Sequence, residues 1–158
     1  MIKFYCKVAW RVLLVLLCTL FVFSNSLKNS EESHADSGFF VEIVESVADA
    51  IFPDNECDWN YTVRKGAHLL EFFVLGVFAT LLSVCFVKNR RAALCIALLY
   101  LVVIAALDEF IQRFTGRTSS FTDVLIDLAG GCIGVALVLL LNCAISRHRE
   151  KYTASCQN

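Results

Sequence analysis

Residues Ala92–Cys143 read AALCIALLYLVVIAALDEFIQRFTGRTSSFTDVLIDLAGGCIGVALVLLLNC. Two apolar runs of 20 residues, Ala92–Ile111 and Val124–Cys143, flank a short polar connection. A helix that crosses a bilayer needs about 17–25 mostly apolar residues, so each run is long enough for one crossing. Upstream lie two more such runs. Ala67–Val87 has 21 residues, and Val8–Phe23 qualifies if Lys7 and Arg11 snorkel to the interface. The composition agrees with this reading. Of 158 residues, 58% are hydrophobic and 18% charged, and mean hydropathy is +0.65. Soluble domains run near 45–50% apolar and about 25% charged. The expected fold is all-α: an integral membrane four-helix bundle forming one domain over residues 1–158, with spans near 7–24, 66–87, 91–111 and 123–143. A net charge of −1 argues against nucleic acid as a partner.

Basic residues orient the spans. Lys3, Lys7, Arg11, Lys88, Arg90, Arg91, Arg147, Arg149 and Lys151 fall on one side, nine in all. Lys28, Arg64, Lys65, Arg113 and Arg117 fall on the other, five in all. Lysine and arginine accumulate on the cytoplasmic side. Both termini are therefore expected in the cytoplasm, with the chain in the cytoplasmic (inner) membrane. The second-ranked alternative treats the first run as a cleaved signal peptide, with small residues at Ser24 and Ser26. In the first outer loop, Phe39, Phe40, Ile43, Val44, Val47 and Ile51 recur at helical spacing. They predict a short amphipathic helix over the outer ends of the spans. The eight cysteines contain no CxxC pair and sit mostly in apolar runs, where cysteine packs as a small hydrophobe.

Ionisable residues within a span cost about 2.5–3.5 kcal/mol each at the bilayer centre and less near the ends. Here they gather at the outer ends. The second span opens with Arg64, Lys65, His68 and Glu71; the third closes with Asp108, Glu109, Gln112 and Arg113; the fourth opens with Asp123 and Asp127. Arg117 lies in the connection. Arg64, His68 and Glu71 share one helix face at i, i+4 and i+7, and Asp108 shares a face with Gln112. Glu109 points about 100° away from Asp108, so Asp108 is the stronger candidate. The helix dipole disfavours cations at the start of the second span and anions at the end of the third. The two wrong signs complement each other when the helices pack side by side. Asp123 follows Ser120 by three residues and reads equally as a helix cap or a site residue. Asp127 is one turn too deep for a cap. Gly130 and Gly134 form a GxxxG on which a neighbouring helix can pack closely.

The strings RKGAHLLEFFVLG (Arg64–Gly76), LDEFIQRFTGRTSSFTDVLIDLAGGCIG (Leu107–Gly134) and FSNS (Phe23–Ser26) resemble the VanZ-like family of small bacterial membrane proteins. The family pattern matches Arg64, Lys65, His68 and Glu71, then Asp108, Glu109, Gln112 and Arg117, then Asp123, Asp127 and Gly130. Phe72 stands where tyrosine is common, and Asn25 departs from the usual stretch after the first span. The resemblance implies four spans with the polar residues on the outer side. It also implies a link to teicoplanin resistance, a form of antibiotic tolerance at the cell envelope.

These ten residues (Arg64, Lys65, His68, Glu71, Asp108, Glu109, Gln112, Arg117, Asp123 and Asp127) are the expected ligand-binding set. The first reading is recognition of an envelope lipid or lipoglycopeptide head group by the cations, with membrane lipids as the standing partners. The second is an enzyme acting on a lipid phosphate or ester, with His68 as acid/base beside Glu71 or Asp108; no nucleophile motif accompanies it. The third is a charge network that only holds helices in register. Proton or ion transport is disfavoured by the charge-free cytoplasmic halves of the last three spans. No cofactor is expected. No metal is expected either, because no ligand-spacing motif is present and the nearby cations compete for the carboxylates.

Overall fold

The computed structural model describes residues 2–28, 58–115 and 120–155, and residues 38, 41–44 and 46–47 between the first two of these segments. Arg117, Phe39, Phe40 and Ile51 lie outside the described residues. Four long helices account for the fold: α1 (Ile2–Ser26), α2 (Trp59–Phe86), α3 (Arg90–Phe114) and α4 (Phe121–Ser155). Each contains a stretch long and apolar enough to cross a membrane. No strand occurs among the described residues. Residues 41–44 and 46–47 are helical, in the loop where the amphipathic helix is expected, and Val41 is buried.

Local chemistry sets the helix ends. Asp58 caps α2, its carboxylate accepting from the Tyr61 N–H at 3.1 Å. Asn89 caps α3 by accepting from the N–H groups of Arg91 and Ala92. Ser120 Oγ accepts from the Thr122 N–H at 3.2 Å where α4 begins. Such caps satisfy backbone donors left open at a helix start. Only residues 87–89 separate α2 from α3, so these two helices run antiparallel.

The bundle is apolar on both faces, as a lipid environment requires. Phe72, Leu75, Leu101, Val22 and Val135 pack inside. Leu16, Leu20, Leu99, Phe110 and Leu140 are exposed, which in water would leave large apolar patches. Buried hydroxyls bond to their own helix: Thr80 donates to the Gly76 carbonyl at 2.7 Å and Ser83 to the Thr80 carbonyl at 3.0 Å. Thr19 and Tyr100 share a 2.6 Å hydrogen bond that ties α1 to α3.

Glycines bring α4 against α2. A Cβ on Gly130 would strike the Leu69 carbonyl, one on Gly134 the Phe73 carbonyl, and one on Gly76 the Gly131 carbonyl. The GxxxG is thus used within the chain, backbone against backbone. Arg11 reaches the last turns of α2. Its Nη1 donates to the Leu81 carbonyl at 2.5 Å and contacts Cys85 Sγ at 2.6 Å. The carbonyl-rich C-terminal end of α2 attracts a cation there.

Candidate functional site

The C-terminal ends of α1 and α3 meet the N-terminal ends of α2 and α4, and the ionisable residues gather at this end of the bundle. Asp108, Asp127, Gln112 and Glu109 are buried, at 0%, 2%, 4% and 5% exposure. Arg64, Lys65, His68, Glu71 and Asp123 are half-buried around them. Nine of the ten expected residues therefore come together; Arg117 is the one outside the described residues.

His68 sits between two carboxylates. Its Nδ1 lies 3.9 Å from Asp108 Oδ2 and 3.8 Å from Asp127 Oδ1. The carboxylate of Asp108 is itself held in place. Ser26 Oγ donates to Oδ1, and Gln112 Nε2 donates to Oδ2 at 2.7 Å. Asp108 and Gln112 are one helical turn apart, so the predicted shared face is used. Glu71 Oε1 accepts from Asn25 Nδ2 at 2.7 Å, and Asn25 Oδ1 accepts from Lys28 at 3.0 Å.

Two expectations are corrected in detail. The complement to Lys65 is not an acid of α3. Lys65 forms an ion pair with Asp123 of α4 and lies 4.7 Å from the centre of the Tyr61 ring. The Asp123 side chain is therefore in the charge network, while Ser120 does the capping. Glu109 is not turned away by its 100° offset, because α3 ends among three other helices and both Asp108 and Glu109 are enclosed.

Arg64, Lys65, His68, Gln112, Asp123, Ile126 and Asp127 line one cleft. It combines cations, carboxylates and an amide with one apolar wall. Its enclosed space is about 10 Å³, room for about one water molecule, so a larger polar group would meet these side chains at the mouth of the cleft. Acyl-transfer chemistry would need a nucleophile on the histidine. The buried hydroxyl of the network, Ser26, donates its one proton to Asp108 instead, with the Val22 carbonyl as the alternative acceptor.

Three contributors were not among the expected set. Asn25 and Ser26 come from the FSNS string at the end of α1, and Tyr61 from the start of α2. The first two are neutral residues at the end of an apolar run, and charge placement gives no signal there.

Four apolar helices whose buried charges collect at one end define a multi-pass membrane protein. The VanZ/LLP1 family model matches residues 10–142, and the chain belongs to that family. No curated protein and no solved structure matches it.

Proposed function

We propose that this protein is a cell-envelope membrane protein whose polar end faces outward and binds the head group of an envelope lipid or another surface-active amphiphile. One observation carries the reading. A single cleft at the bundle end is lined by Arg64, Lys65, His68, Asp123 and Asp127 together with Gln112 and Ile126. The cations receive the anionic part of the head group; the carboxylates orient the cations and accept hydroxyl or amine donors. The basic-residue bias supports this orientation and cytoplasmic termini. On this reading the protein contributes to tolerance of teicoplanin, a lipoglycopeptide that is itself an anionic amphiphile.

The test has two arms. Purified protein in neutral detergent is titrated with phosphatidylglycerol, teicoplanin and, as the neutral comparison, phosphatidylcholine. The thermal midpoint is expected to rise with an anionic ligand in the wild type and to stay flat in Arg64→Ala and Lys65→Ala. In parallel, a Gram-positive host expresses wild type, His68→Ala or Asp108→Ala at matched membrane levels. Protection from teicoplanin by the wild type alone supports the reading. Equal ligand response in the wild type and both cation variants overturns it.

A further inference from the structure

We propose that His68, Asp108 and Asp127 form a binding site for a divalent cation of the Mn²⁺ or Zn²⁺ class. His68 Nδ1, one oxygen of Asp108 and one of Asp127 all lie within 4.8 Å of one another. Three helices supply them: α2, α3 and α4. Metal–ligand bonds of about 2.0–2.2 Å place neighbouring ligand atoms about 3–3.6 Å apart. The two His68 separations of 3.8 and 3.9 Å close to that range with side-chain shifts of about half an ångström, and the set as a whole, within 4.8 Å, with shifts of up to about 1–2 Å. One imidazole nitrogen with two carboxylate oxygens favours an ion of intermediate softness. Calcium, which takes 6–8 oxygens, is disfavoured.

Three further observations point the same way. Asp108 is braced by Ser26 and Gln112, as carboxylate ligands characteristically are by neighbours that fix their orientation. Glu109 adds a second buried carboxylate at the end of α3. It is 95% enclosed, and neither of its oxygens has a hydrogen-bond partner among the described residues. Buried carboxylates left without donors are costly, and a divalent cation among them removes that cost. Lys65, one of the cations near these carboxylates, is paired with Asp123 of α4.

The site opens on the cleft that Arg64 and Lys65 line. An ion held by three protein ligands keeps coordination positions for outside groups. A phosphate or carboxylate oxygen of a head group would take one of them. This last step rests on the proposed function; the metal site itself does not.

The test uses the full chain in neutral detergent, stripped with EDTA and desalted. Mn²⁺ and Zn²⁺ are then added separately with no lipid or antibiotic present. The wild type is expected to retain about one ion per chain by elemental analysis and to gain thermal stability with the logarithm of ion concentration above the dissociation constant. Electron-spin-echo spectra of the Mn²⁺ form should show coupling to one imidazole nitrogen. Asp127→Asn and His68→Gln should weaken binding by more than about tenfold, the scale on which even loss of a ligand's supporting partner is felt. Gly66→Ala, whose added methyl meets nothing within 4 Å, should bind as the wild type does. Wild type that retains no ion, shows no nitrogen coupling, or binds no more tightly than the two ligand variants overturns the proposal. The nitrogen coupling needs no variant, so misfolding of a substituted chain does not rescue it. Head-group binding can fail while the ion is retained, which separates this inference from the proposed function.

Discussion

The ion pair between Lys65 and Asp123 shows what a residue-level reading reaches and where it stops. That Lys65, His68, Asp108 and Asp127 belong to one site is legible from charge placement, because charges in apolar helices must face protein or water. Which acid meets which base is not legible. Asp108 and Asp123 are both plausible partners of Lys65 on helical spacing, and only the packing of α4 on α2 selects Asp123. The pairing makes a charge exchange informative. Lys65→Asp and Asp123→Lys should each lower the thermal midpoint in detergent. The exchanged double variant should recover stability, with a coupling of about 1–2 kcal/mol within the range found for contacting residues. Head-group-dependent stabilisation should not recover, because the cation then sits on the α4 side of the cleft. Recovery of both would assign the pair a purely structural role.

Among the elements, α2 and α4 make the most extensive contact in the bundle, and their close approach sets the site. Gly130 packs on Leu69, next to His68, and lies three residues after Asp127. A displacement of α4 here would move Asp127 away from the histidine. The four helices were legible because each contains a run of spanning length. The GxxxG was legible as a packing face, though not the helix it meets. The polar first turns of α2, from Trp59 onward, carry no apolar signal and so escaped the predicted span. Alanine substitution should rank the glycines. Gly130→Ala and Gly134→Ala drive a methyl into α2 backbone, which cannot yield without helix separation. Each should lower stability by about 1–3 kcal/mol or more, the cost of overpacking. Gly131→Ala meets the Leu101 side chain at 2.9 Å, which can shift rotamer, and should cost less. Thermal unfolding in a single detergent checks the order. Gly134→Ala no more damaging than Gly66→Ala, whose methyl meets nothing within 4 Å, would show that the helix pair is not in backbone contact.

At the scale of the whole molecule, the charges divide the bundle into two unlike ends. The end where the termini lie carries lysine and arginine with few acids inside the helices. The other encloses Asp108, Glu109 and Asp127 and surrounds them with cations. The asymmetry was legible in the sequence, since an even number of crossings returns both termini to one side and the basic residues could be counted by loop. The enclosure of the site was not, because it depends on α1 reaching over α3 to place Ser26 on Asp108. The two ends predict a topology. Green fluorescent protein fused after Asn158 should fluoresce, since it matures only in the cytoplasm. Alkaline phosphatase inserted in the connection between α3 and α4 should be active, since it folds only outside. The reverse pair of results would put the cleft on the cytoplasmic side, beyond the reach of an extracellular lipoglycopeptide. It would remove the proposed outer-leaflet ligand and leave the His68, Asp108 and Asp127 geometry as it stands, because three side chains hold an ion equally well from either side of a membrane.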